Sequence, residues 1–395
     1  MSHSSFPSLV ETLPVDVADA VLIGRIWVPG HGPYLVKVDA NHATDLSSLA
    51  LTSSDLMELE NVASRVQHHQ GQTWSTEALW NNTDPKQRNE QEAWFLAPTD
   101  LQAIKAAGVT FVASMLERVI EEQARGDAAK AESVRKAVIS VMGDNLRNVK
   151  PGSAQAMKLK EVLVAQGVWS QYLEVGIGPD AEIFTKSQAM SAVGSGFDVG
   201  LHPGSSWNNP EPEIVLVINS KGQVVGAAMG NDVNLRDFEG RSALLLGKAK
   251  DNNASCAIGP FIRLFDHNYT IDNVRSTDLS MAVHGPEGFV MHGSSSLSQI
   301  SRDPLDLVAQ TLNGNHQYPD GLMLFLGTLF APVQDRDAPG RGFTHHVGDR
   351  VTIRSEHLGG LINRVNTSDQ IPPWQFGLRR LLANLAARQL LGRAL

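Results

Sequence analysis

Apolar residues in this chain gather mainly into short runs broken by turn residues. Ala20-Val21-Leu22-Ile23-Gly24-Arg25-Ile26-Trp27-Val28 predicts a strand, Pro29-Gly30-His31-Gly32-Pro33 a turn, and Tyr34-Leu35-Val36-Lys37-Val38 a returning strand. From Leu173 onward helical patterning thins out. Val215–Ile218, Val224–Gly226, Met323–Leu326 and Val351–Ile353 are short β-rich runs between turns. That spacing predicts a sheet-rich sandwich or barrel.

Helical signals are fewer. Thr52-Ser53-Ser54-Asp55-Leu56 predicts a helix start capped by Ser53 or Ser54, and Thr99-Asp100-Leu101 a second, short one. Met115, Leu116, Val119 and Ile120 recur at helical spacing within Ser114–Gln123. The charges that follow, Glu121 to Lys136, predict a solvated helix face. The polar stretch Thr73–Glu92 predicts irregular structure. Phe376–Leu395 predicts an amphipathic helix with Leu378, Leu382 and Leu385 on one face, packed on the body or on another subunit rather than on a membrane. The change in character near residue 100 predicts a mixed α/β N-terminal domain, 1–100, and a larger catalytic part, 101–395.

Composition narrows the class. Apolar residues are 42% and charged residues 19% of the 395, which is globular composition. With 33 basic against 42 acidic residues the net charge is −9, which argues against a general nucleic-acid or membrane-surface binder. One cysteine, Cys256, permits no internal disulfide and fits a reducing compartment. Met1–Glu11 has neither the basic nor the apolar region of a secretory leader. No run approaches the roughly 18 apolar residues of a membrane span. A cytoplasmic protein with neither nucleic-acid nor membrane partners is expected.

Familiar phosphate patterns fail: Gly194-Ser195-Gly196 lacks a third glycine, and Gly247-Lys248 lacks the Walker spacing. His345-His346 lies in a turn-rich stretch that suits a loop better than a metal site. The acidic residues say more. Glu211 and Glu213 sit two apart where the chain enters an apolar strand, so their carboxylates share one face. Asp232 follows nineteen residues after Glu213. Adjacent carboxylates repel unless a proton or cation lies between them, and three on sheet elements form an all-oxygen site suited to Mg²⁺, Mn²⁺ or Ca²⁺.

The surroundings add a resemblance. Gly230-Asn231-Asp232-Val233-Asn234-Leu235-Arg236-Asp237, then Gly247-Lys248, then Gly259-Pro260, together with the upstream Glu211 and Glu213, resemble the signature of the fumarylacetoacetate hydrolase superfamily. Glu182-Ile183-Phe184-Thr185-Lys186, Gly327-Thr328 and Gly348-Asp349-Arg350-Val351 with Leu358–Asn363 extend the likeness over roughly residues 105 to 366. The resemblance implies an α+β, β-rich fold: a mixed β-sandwich roll beside a smaller N-terminal domain. It implies Mg²⁺, or Mn²⁺, held by Glu211, Glu213 and Asp232, and a small 2-oxo acid as substrate. Arg236, Glu239, Thr328 and Lys186 would contact that substrate, and Lys248 would shuttle a proton, its pKa depressed by the dication. Homodimers or homotetramers are usual in the resembled family.

The pattern also breaks. Many hydrolases of this family carry a His–Glu pair on a short helix. The corresponding stretch, Gly108–Glu117, puts Ser114 where the His would be and Glu117 where the Glu would be. Serine is no base at neutral pH, so water-driven C–C hydrolysis is in doubt. The sequence looks like the branch that dehydrates 2-oxo-3-deoxy sugar acids, with Glu117 and Lys248 as acid and base in either order and Ser114 beside them. A hydrolase of acylpyruvate-type 2,4-dioxo acids and a non-catalytic metal-binding protein are the alternatives.

Overall fold

The structure is a computed structural model that describes residues 6–132, 135–136, 149–165, 167, 169–330 and 332–391. The first five residues and the end of the tail, and so parts of the leader and tail expectations, lie outside the described residues. Among the described residues there are sixteen strands: β1 (Leu22–Val28), β2 (Gly32–Val38), β3 (His42–Asp45), β4 (Thr73–Ser75), β5 (Trp94–Leu96), β6 (Ala103–Gly108), β7 (Glu182–Ser187), β8 (Asp198–Leu201), β9 (Pro212–Ile218), β10 (Val224–Asp232), β11 (Cys256–Leu264), β12 (Asp278–His284), β13 (Val290–Ser296), β14 (Leu322–Phe325), β15 (Arg350–Ser355) and β16 (Gly359–Thr367).

They form two sheets. The large one runs β4-β3-β2-β1-β11-β10-β9-β14-β6-β7, with β5 paired to β1; the small one runs β13-β12-β15-β16-β8. Among these sixteen strands, β14–β6 and β16–β8 are the parallel pairs. β9 explains why its sequence is continuously apolar. Ile214, Leu216 and Ile218 enter the core shared with Met281 and Val283 of β12 and Val351 and Ile353 of β15, while Val215 and Val217 enter a second core on the other face. A strand covered on both faces loses the alternation that a half-exposed strand keeps.

That second core also takes Ile23 and Leu35 from β1 and β2, and Leu56, Met57 and Val66 from the short helices Ser53–Met57 and Val62–Gln67. β1 pairs with β11 in the register Leu22↔Arg263 and Ile23↔Ile262. The expected boundary at residue 100 is therefore crossed by strand pairing and by a common core. Around it, Arg25 Nη1 donates to the carbonyl of Thr99 at 2.6 Å, and the Asp100 carboxylate accepts from the backbone N–H of Ser53 at 2.8 Å. Asp100 caps the earlier helix from a distance and starts none of its own.

Three local expectations change. The cap of Ser53–Met57 is Thr52, whose Oγ1 accepts from Asp55 N at 2.9 Å. The stretch expected to be irregular contains β4 and the helix Thr76–Asn81, capped by Ser75. The tail helix, Leu378–Ala387, buries Leu381 and Leu385 and leaves Leu378 and Leu382 about half exposed, at 53% and 48%. Its buried face packs with Leu390 against Leu51, Leu101 and Met190. No helix among the described residues is long and apolar enough to cross a membrane.

Candidate metal centre

Glu211 precedes β9, Glu213 lies near its start, and Asp232 ends the neighbouring strand β10. Asp232 N donates to the Glu211 carbonyl at 3.0 Å, which ties the two strand ends together. Same-face placement on β9 and adjacency across the ladder bring one oxygen of each carboxylate within 4.8 Å of the others. All three are buried.

Among the described residues three cations pair with this triad. Lys250, closing the short helix Leu246–Lys250, donates to Glu211 Oε2 at 2.6 Å and to Asp232 Oδ2 at 3.0 Å. Lys186, on β7, places Nζ 2.7 Å from Asp232 Oδ1 as an ion pair, while its hydrogen bonds go to the carbonyls of Val233 and Lys250 at 3.1 and 2.6 Å. Arg118, on the helix Val112–Gln123, pairs with Glu211 and Glu121, and Nη1 lies 3.1 Å from Glu239. Behind it, Arg236 Nε donates to Glu121 Oε1 at 2.6 Å.

These surroundings set the acids apart. Burial raises the Glu213 carboxyl, and Asp232 and Glu211 beside it raise it further. Burial acts the same way on Asp232, but Lys186 and Lys250 overcome it and hold that carboxyl below its ordinary range. Burial alone would depress Lys250, yet Asp232, Glu211 and Glu239 lift it above an ordinary lysine. Glu182, at the start of β7, retains some accessible surface. Burial of its carboxyl, with Glu239 adding, pushes it up to about 7. Among the described residues it has no hydrogen-bond or ion-pair partner.

The cavity between these groups has a volume of about 20 Å³, room for a single ion or water. Roomier surface hollows of about 780 and 650 Å³ contain none of these residues. Backbone shapes the cavity wall. Gly327 adopts φ +88°, and its N–H donates to Glu213 Oε2 at 2.7 Å. A Cβ there would stand 2.0 Å from Thr110 Oγ1. Gly108 lets Glu182 in: a Cβ at that position would lie 2.0 Å from Glu182 Oε2. The donor set, all oxygen and buried, fits a hard divalent cation.

Of the residues expected at the site, Ser114, Glu211, Glu213, Asp232, Glu239 and Thr328 line this cavity. Ser114 Oγ donates to the Phe111 carbonyl at 2.9 Å, and Thr328 Oγ1 accepts from Phe330 N at 3.0 Å. Lys186 and Arg236 support the wall from behind. The fork of Arg236 is used up by Glu121, Glu117 and the Pro332 carbonyl, and its guanidinium lies over Trp207 at 4.4 Å. Glu117 lies outside the cavity, bonded to Arg135 at 2.7 and 3.0 Å and to Arg236. Lys248 is exposed, its ammonium over Phe238 at 5.1 Å. Lys250 takes its place, because two residues along a helical turn point to nearly opposite sides. His345 is buried against Asp349 at 2.9 Å, away from the centre.

Arg118, Glu182 and Lys250 also line the cavity, and the motifs assigned none of them a role, although Glu182 stands inside a matching stretch. Signals for two of them exist. Glu182, Phe184 and Lys186 share one strand face, and Arg118 follows Ser114 by one helical turn.

Residues 160–366 match the family described as Fumarylacetoacetate (FAA) hydrolase C-terminal. That match begins after the helix Val112–Gln123. Over 196 residues, half of this chain, the sequence is 29% identical to a probable 2-keto-3-deoxyxylonate dehydratase of Haloferax volcanii. Over 190 residues, 48% of this chain, it is 30% identical to a 2-dehydro-3-deoxy-D-arabinonate dehydratase of Saccharolobus solfataricus. The matched stretches span 64% and 60% of those relatives' lengths. The fold is shared with 2-keto-3-deoxy-D-arabinonate dehydratase complexed with magnesium and 2,5-dioxopentanoate, at a TM-score of 0.59 and 19% identity, over 88% of this chain and 99% of that one.

Proposed function

Because this chain belongs to the fumarylacetoacetate hydrolase family, we propose that it is a Mg²⁺-dependent hydro-lyase that removes water from a 2-oxo-3-deoxy sugar acid. A 2-oxo-3-deoxypentonate, giving 2-oxoglutarate semialdehyde, is the favoured substrate. The observation that carries the reading is the Glu182 carboxyl, without a partner among the described residues, beside the Glu211–Glu213–Asp232 triad. The names of the two similar dehydratases and of the magnesium complex agree with it.

A divalent cation held by the triad and chelated by a 2-oxo acid would polarise the 2-oxo group and make C3 acidic. Glu182 supplies the proton chemistry. A carboxyl poised at about 7 is part ionised and part protonated at neutral pH. It can take a proton from C3 and give one to the oxygen departing from C4. The 5-hydroxy-2-oxo-3-ene acid left behind loses a proton from C5 and gains one at C3, and the resulting C4=C5 enol tautomerises to the semialdehyde. Thr328 offers a hydroxyl to the substrate carboxylate, and Lys186 and Lys250 hold Asp232 and Glu211 in place.

C–C hydrolysis in the resembled hydrolases draws its water-activating base from the His–Glu pair. Ser114 cannot serve, and Glu117 is pinned by two arginines. The test is direct. The chain is incubated with 2-oxo-3-deoxypentonate and Mg²⁺, and semialdehyde is read through a coupled aldehyde dehydrogenase. We expect product that EDTA abolishes and Mg²⁺ restores. No product, together with cleavage of an acylpyruvate, would overturn the lyase in favour of the hydrolase.

A further inference from the structure

Arg118 stands out among the groups around the triad. Its guanidinium serves three carboxylates: Glu211, Glu121 at 2.6 Å and Glu239 at 3.1 Å. Glu211 is correspondingly occupied on both oxygens, by Arg118 on Oε1 and by Lys250 on Oε2. Glu213 differs, since among the described residues its carboxylate takes one hydrogen bond, from Gly327 N–H to Oε2. A divalent cation at the triad must share or displace a cation already on Glu211, and like charges a few ångströms apart repel strongly in a dry site.

The two cations are not equally free to yield. Lys250 is held by its short helix, and its carbonyl is bonded to Lys186 and Ser255 at 2.6 and 2.7 Å. Arg118 has two further carboxylates ready to keep it. It also belongs to the helix that walls a space of only about 20 Å³, enough for an ion and too small for a 2-oxo acid.

We propose that Arg118 is a positioning residue that competes with the divalent cation for Glu211. The metal releases it onto Glu121 and Glu239, which couples the docking of the helix Val112–Gln123 to metal occupancy. Coupling of this kind is reciprocal: a helix clamped to Glu211 weakens the metal, and the metal loosens the clamp. The inference rests on the reading that the triad binds a divalent cation.

The test uses the full chain stripped by chelation and titrated with Mn²⁺ alone in a calorimeter. Arg118→Gln removes one positive charge beside the site and should tighten Mn²⁺ binding by roughly tenfold. Arg118→Lys, a single ammonium in place of a fork, should fall between it and wild type. Hydrogen exchange supplies a readout on wild type itself: saturating Mg²⁺ should speed exchange of amides in 112–123, and the Arg118→Gln protein should lack that response. Equal or weaker Mn²⁺ binding by a folded Arg118→Gln protein, or unchanged exchange in wild type, overturns the inference. If wild type binds no Mn²⁺, the metal reading of the triad falls with it; if wild type binds and the variant binds no tighter, only the role of Arg118 falls. Should the glutamine variant fail to fold, the lysine variant and the wild-type exchange decide.

Discussion

Asp232 and Glu182 face one small cavity and are driven apart by their neighbours. Two lysines keep Asp232 ionised, while burial without a partner lifts Glu182 to about 7. Such divergence assigns a ligand role to one acid and a proton-transfer role to the other. We expect Glu182→Gln to lower kcat by about 10²–10⁴-fold, with Mn²⁺ affinity by calorimetry little changed. Its effect on stability has a definite sign. The raised pKa means that the folded protein holds this proton more tightly than the unfolded chain between the ordinary carboxylate range and about 7. Stability contributed by the group is therefore present at low pH and lost as pH rises through that window. Glu182→Gln should accordingly raise Tm relative to wild type at pH 8 and leave it unchanged near pH 4, as scanning calorimetry would show. The lysines make the complementary case. Lys250→Met leaves Glu211 with Arg118 alone and Asp232 with Lys186 alone, a buried charge imbalance that should cost about 3–5 kcal/mol in urea unfolding. Lys248→Ala, on the surface, should stay within about 0.5 kcal/mol and leave turnover intact. The triad was legible because β-strand parity is a strict rule. Lys250 was not, because the Gly-Lys pair drew attention to a position that the one-turn helix directs outward.

At the scale of elements, legibility followed the number of competing local patterns. β9 declared itself by an uninterrupted apolar run. Thr52, Ser53 and Ser54 are three adjacent capping residues, and only the register of the helix chooses Thr52. The helix Leu378–Ala387 carries leucine at 378, 381, 382 and 385, so its sequence offers two overlapping apolar faces. The surface beneath it, Leu51, Leu101 and Met190, selects Leu381 and Leu385. Asn384 Nδ2 donating to the His31 carbonyl at 2.8 Å and Arg388 over Tyr34 at 4.0 Å lock that choice to the β1–β2 hairpin. We expect Leu381→Ala to cost about 2–4 kcal/mol in denaturant unfolding and Leu378→Ala almost nothing. Equal costs would show that the helix docks on its other face.

For the whole molecule, strand spacing left a sandwich and a barrel open and the family resemblance implied the sandwich roll, but the place of the N-terminal hundred residues could not be anticipated. Partners such as Leu22 and Arg263 leave no local trace in a sequence, since pairing is set by register and shared core rather than by neighbours along the chain. A fragment spanning 101–395 would expose the β11 edge and the apolar face that β1, β2 and their helices cover. We expect it to be insoluble or molten by near-UV circular dichroism, and a natively folded fragment would establish independent domains. The same pairing bears on how the protein is made. β1 leaves the ribosome early and waits for β11 to be synthesised, and β6 waits for β14. Contacts this distant close slowly, and the hairpins of the first hundred residues stay sticky meanwhile. Production of this protein should therefore respond to chaperone supply and to slower translation at lower temperature, and its earliest strands are where a nascent chain would first go astray.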